Sequence, residues 1–132
     1  MPTFFFKKLV RDLVLQRCLD DPKVRTDYRT LELQEFKQAL VAKIHEEADE
    51  VPVVDDKHDD VLSEIADVQA VIDSLVEAYG YTKAEVTTAQ HKKAVKNGVF
   101  EKRAYINSVE LDDDSEWIAY FRQSPEKYEE QL

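Results

Sequence analysis

His45-Glu46-Glu47-Ala48-Asp49-Glu50-Val51-Pro52, followed after an acidic turn by Ser63-Glu64-Ile65-Ala66-Asp67-Val68-Gln69, is the stretch on which the fold turns. Glu47 and Glu50 stand three positions apart, as do Glu64 and Asp67. On a helix that spacing stacks each pair on one face, one turn apart. Two such pairs on neighbouring helices would pool four carboxylates in one place.

The apolar periodicity says which way these faces point. At about 100° per residue, Phe36, Leu40, Ile44 and Val51 form a stripe that includes Glu47, with Glu50 at its edge and Glu46 just outside. Downstream, Val61, Ile65, Val68, Ile72, Leu75, Val76 and Tyr79 form a second stripe. Glu64 lies at its margin beside Val71, and Asp67 just beyond on the same side. A solvated acidic face is the plain alternative, since carboxylates are seldom fully buried unless paired. In a core-facing stripe they are costly unless paired or bound to metal. Glu46 and Glu50 also repel as an i,i+4 pair. A cation accounts for both costs.

All-oxygen ligation indicates a hard cation, with Mg2+ the usual choice for phosphate chemistry and Mn2+ an acceptable substitute. Four carboxylates balance two divalent ions, the arrangement that serves in-line attack on phosphoryl groups. A di-iron bundle also uses inward carboxylates, but it needs Glu-x-x-His on two helices. The residues three before His45, His58 and His91 are Ala42, Asp55 and Thr88, which weighs against iron.

Outward from this stretch, the pattern predicts an all-α chain. Thr3–Phe6 reads as an extended arm or strand, and Lys8–Leu19 as a helix ended by Asp20-Asp21-Pro22. Thr30 is a candidate N-cap for a helix running to about Glu50, where Pro52 stops it. Val53–His58 is a short connector to a helix from Asp59 or Asp60 to Tyr79, with Gly80 as its C′ residue. So short a connection makes antiparallel neighbours. Thr82 and Glu85 form a capping-box signature for a fourth helix reaching about Lys96. Phe100–Val109 reads as extended, and Asp114 or Ser115 can cap a last short helix, Glu116–Gln123. Residues 1–110 are expected to form the principal domain, and 111–132 an acidic extension packed on it or on a second subunit.

The acidic motifs also carry a resemblance. Glu46-Glu47-Ala48-Asp49-Glu50 with Glu64-Ile65-Ala66-Asp67 resembles the E-E-x-x-E … E-x-x-D signature of the MazG-like nucleoside triphosphate pyrophosphohydrolases. These form an all-α superfamily that includes phosphoribosyl-ATP pyrophosphohydrolase. Lys8-Leu9-Val10-Arg11-Asp12 and Asn97-Gly98-Val99-Phe100-Glu101-Lys102 look like the ends of its house-cleaning subgroup. Val99 departs from the pattern, standing where relatives often have a second glycine, and the tail from Leu111 is additional. The resemblance implies a four-helix arrangement and Mg2+-dependent release of pyrophosphate and nucleoside monophosphate from a nucleoside triphosphate. Glu47, Glu50, Glu64 and Asp67 would be metal ligands, with Glu46 and Glu47 serving catalysis. Lys8, Arg11, Asp12, Lys93, Lys96 and Asn97 would contact substrate, Arg103 being a weaker candidate. The lysines have a plainer explanation too, because cations suit a helix C-terminus. It further implies a homodimer or homotetramer. Two alternatives stand beside it: phosphoribosyl-ATP hydrolysis, and a non-catalytic helical binding or assembly module.

Composition bounds the rest. With 132 residues and 43% of them hydrophobic, the chain suits one small domain with a core. A net charge of −10 argues against a nucleic-acid partner or an anionic membrane surface. Cys18 is the lone cysteine and a small apolar filler. Phe4-Phe5-Phe6 is too short for a signal-peptide core and is followed, not preceded, by lysines. A cytoplasmic protein is expected.

Overall fold

Five helices, with no strand among the described residues, make up a computed structural model in which residues 1–131 are described. They are α1 (Asp12–Asp20), α2 (Leu33–Asp49), α3 (Asp59–Ala78), α4 (Lys83–Asn97) and α5 (Trp117–Arg122). The all-α expectation holds. The chain divides into two units, Met1–Lys96 and Asn97–Leu132.

In the first unit α2 and α3 are the helices whose backbones pack against one another. Their antiparallel sense follows from what meets: Glu47 near the end of α2 faces Glu64 and Asp67 early in α3. At the other end, the Lys37 amine lies 4.3 Å from the centre of the Tyr79 ring. Leu40, at 4% exposure, is the one buried side chain among the described residues. Around it Phe36 and Ile44 on α2, with Val68, Val71, Ile72, Leu75 and Val76 on α3, are half-buried. Ile65 belongs to the expected apolar stripe yet is 51% exposed.

The helix ends show local chemistry at work. After α3, the Gly80 N–H donates to the Glu77 carbonyl (2.9 Å) and the Tyr81 N–H to that of Val76 (3.1 Å), a Schellman closure. It requires the left-handed φ of +78° at Gly80. The capping box forms as expected: the Glu85 N–H donates to Thr82 Oγ1 (3.1 Å) and the Thr82 N–H to Glu85 Oε1 (3.3 Å). At α5 the Trp117 N–H donates to the Ser115 hydroxyl at 3.3 Å.

Two helix starts differ from the sequence reading. α1 begins at Asp12 rather than Lys8, because Lys7 sits at φ +51° and Lys7, Lys8 and Arg11 would stack cations on the positive helix end. α2 begins at Leu33, with Glu32 in the cap position rather than Thr30 and no side-chain cap bond. Arg29 instead reaches over the first turn to Glu35 through two hydrogen bonds, 2.8 and 3.2 Å, leaving Thr30 outside the helix.

The second unit is held by local aromatic contacts. Phe121 lies 4.8 Å from Tyr128 between ring centres, Trp117 meets Tyr120 edge-on at 5.5 Å, and Arg122 is paired with Glu130 at 2.6 Å. Phe100–Val109 carries no strand pairing.

Candidate metal centre

α2 brings Glu46 and Glu47 to its last turns, and α3 brings Glu64 and Asp67 to its second and third. Because the helices are antiparallel, these turns lie at the same height. One carboxylate oxygen from each of Glu47, Glu64 and Asp67 lies within 4.8 Å of the other two. Three of the four expected ligands are therefore gathered at one point. Glu50, the fourth, is exposed and forms the C-cap of α2. Hydrogen bonding to the Glu47 carboxylate, reinforced by the charges of Glu47, Glu64 and Glu46, pushes its carboxyl above the usual range.

Acidic groups gather on protein surfaces without binding anything, so the partners of each oxygen matter. Glu64 Oε2 is buried and has no hydrogen-bond partner. A carboxyl oxygen shut from water and left unpaired is an expensive arrangement, which a cation would relieve. The donor set is all oxygen and the residues fit a hard divalent ion such as Mg2+ or Mn2+.

Protein cations already lie along the edge of the cluster. Lys8 Nζ donates to Glu46 Oε1 at 2.9 Å, and that bond holds the Glu46 carboxyl below and the Lys8 amine above their ordinary ranges. Arg11 Nη2 donates to Asp67 Oδ1 at 2.8 Å. Lys43, with 17% of its side chain exposed, reaches Glu46 at 3.2 Å and Glu47 at 3.4 Å. Sequence reasoning missed Lys43, although its i,i+3 and i,i+4 spacing to these glutamates was there to find it.

The remaining expected contacts are placed differently. Lys8 and Arg11 do reach the acidic end, but onto carboxylates. Asp12 opens α1, is exposed, and makes no ion pair among the described residues. Lys93 and Lys96 lie exposed in the last turns of α4, and no ion pair joins them to the cluster among the described residues. Asn97 ends α4 and opens the second unit. Arg103 is exposed at φ +51° in a turn closed by its N–H to the Phe100 carbonyl at 3.1 Å.

No family model, no curated protein and no solved structure matches this chain. Fold and geometry together describe an all-α chain in which three carboxylates gather between two antiparallel helices. No helix among the described residues is long and apolar enough to cross a membrane.

Proposed function

We propose that this chain is a divalent-metal-dependent nucleoside triphosphate pyrophosphohydrolase of the MazG-like kind, cleaving between the α and β phosphates. Two observations carry this reading together: the convergence of Glu47, Glu64 and Asp67, and the buried, unpartnered Glu64 Oε2. Glu47, Glu64 and Asp67 would hold Mg2+ or Mn2+, with Glu50, three positions after Glu47, as the fourth ligand. What the ion supplies is charge neutralisation at phosphoryl oxygens and a lowered pKa for bound water. Glu46, kept ionised by Lys8 and Lys43, accepts a hydrogen bond from the attacking water and orients it. Lys8, Arg11, Lys93 and Lys96 are the cations offered to the phosphate chain, and Asp12 and Asn97 are the polar groups that the resemblance adds. The enzyme would act in the cytoplasm.

The same reading makes the working form a homo-oligomer. The chain exposes 12842 Å2. A compact protein of 15.4 kDa exposes about 7,200 Å2, and two separate compact pieces of these unit lengths about 8,500 Å2. An obligate homodimer interface buries about 2,000–5,000 Å2 over both partners, about half of that per chain, so a surplus on the order of 4,000–5,500 Å2 per chain is more than one such interface covers. One buried leucine among the described residues does not sustain a small domain alone, so a second copy covering the helix faces would supply the rest of the core. Sedimentation at micromolar concentration should give a dimer or tetramer; a stable, folded monomer would contradict it.

Product analysis tests the activity. A panel of ribo- and deoxyribonucleoside triphosphates with Mg2+ should yield pyrophosphate and monophosphate. Orthophosphate would move the cleavage to the γ phosphate and refute the family reading, and no turnover of any member would leave phosphoribosyl-ATP hydrolysis or a binding or assembly module.

A further inference from the structure

The acidic end of the hairpin is held by cations of two kinds. Lys43 sits on α2 itself, three and four positions before Glu46 and Glu47, so helix geometry keeps it there whatever else binds. Lys8 and Arg11 come from elsewhere. They belong to the segment before α1, in which residues 1–11 form no helix or strand. Lys8 lies 38 positions from Glu46 and Arg11 lies 56 from Asp67. Each crosses from that irregular segment onto a different helix, Lys8 to α2 and Arg11 to α3. The two ion pairs tie the chain's beginning across the hairpin.

We infer that residues 7–11 form a strap whose hold depends on the cation site: Arg11 is the resident counter-ion of Asp67, and a divalent cation at Glu47, Glu64 and Asp67 drives it off. The inference rests on the metal reading above. Its physical basis is that Asp67 is claimed twice. Arg11 Nη2 is 2.8 Å from Oδ1, and the same side chain lends one oxygen to the three-carboxylate cluster. An ion at that cluster lies within a few ångströms of the guanidinium, so the two cations repel even where each takes a different oxygen of Asp67. Lys8 is affected less, since Glu46 is outside the cluster of three.

The release has a route into the backbone. Arg11 is the N-cap residue of α1, and its carbonyl accepts the Val14 and Leu15 N–H groups at 3.0 and 3.2 Å. A free cation there opposes the positive end of the helix, while pairing with Asp67 holds the charge aside. Driving Arg11 off Asp67 therefore loosens the first turn of α1. It also frees a guanidinium beside the site, where an incoming polyphosphate offers it new oxygens. Coupling of this kind is reciprocal: what the metal does to the strap, the strap does to the metal.

The test is calorimetric titration of Mn2+ into the full-length wild type and into Arg11→Gln, with amide exchange followed at Val14 and Leu15. Arg11 is 66% exposed, so its replacement leaves the fold intact. Arg11→Gln should bind Mn2+ about fivefold more tightly, the low end of measured couplings, because the pair is exposed and screened. In the wild type, Mn2+ should speed exchange at the two amides; in Arg11→Gln it should leave them unchanged. Arg11→Lys should restore wild-type affinity. Equal or weaker binding by Arg11→Gln, with the wild type binding normally, would make Arg11 a strut that orients Asp67 and would overturn the strap. Binding by neither protein would refute the metal site itself, and the strap with it.

Discussion

Where α2 begins and α3 ends, the hairpin is closed by ordinary means: Lys37 over the Tyr79 ring at 4.3 Å, half-buried apolar side chains, and the Gly80 helix stop. Where α2 ends and α3 begins, Glu47, Glu64 and Asp67 converge and Glu64 Oε2 has no partner. The same two helices carry both ends, so helix propensity does not explain the contrast. The first end lowers the free energy of the isolated chain. The second raises it, and Lys8, Arg11 and Lys43 offset only part of that cost. On the proposed reading, that end is kept for the cation it binds.

The largest effect expected is on what both ends share. Leu40→Ala should lose about 2–5 kcal/mol, read from urea unfolding. A loss under 1 kcal/mol would mean the leucine contributes little to joining the helices. Next comes a change that separates the ends. Glu47→Gln should lower triphosphate turnover by at least about 100-fold, the upper range for groups that merely support a metal ligand. It should leave the metal-free melting temperature level or higher, since it removes one of several like charges. A destabilised Glu47→Gln protein would assign the carboxylate to the fold instead.

At the other end, Gly80→Ala should cost about 1 kcal/mol, because the left-handed backbone is strained for any side chain though nothing lies within 4 Å of a new Cβ. Lys37→Met should lose about 0.5–1 kcal/mol with the cation–π contact. Neither substitution should alter the response to Mg2+; a change in it would show that the two ends are coupled.

The smallest effect is a slope. The Glu50 carboxyl is pushed up in the fold, so its contribution is present below its unfolded pKa and is lost as pH rises through the folded one. The Glu46 carboxyl is pulled down by its bond to Lys8, so its contribution is present above its unfolded pKa and is lost as pH falls through the folded one. The two oppose each other in metal-free protein. Glu35 and Glu130, each pulled down by its arginine, act in the same sense as Glu46. Glu46→Gln removes only the Glu46 part, so its urea midpoint should climb less steeply with pH than the wild type's through the carboxylate range; an equal or steeper climb would reverse the sign assigned to Glu46.

What was legible in the sequence was local or periodic. The capping box at Thr82 and Glu85, the stop at Gly80 and the facing of Glu47, Glu64 and Asp67 follow from spacing alone. The α2 start was not legible, because the Arg29–Glu35 pair outcompetes a Thr30 cap. Nor were the bonds of Lys8 to Glu46 and Arg11 to Asp67, since pairs so far apart in sequence leave no period to read. Ile65 shows the complementary limit: it has the right phase for burial, yet the described residues leave it 51% exposed.

Thermal unfolding of the protein across a Mg2+ titration, wild type beside Glu64→Gln, tests the central claim most directly. A ligand that binds only the folded state stabilises it by about 2.7 kcal/mol at 100 times its dissociation constant. The wild-type melting temperature should climb with the logarithm of Mg2+ concentration while Glu64→Gln stays nearly flat. A flat wild-type curve through millimolar Mg2+ and Mn2+ would contradict a metal centre between α2 and α3.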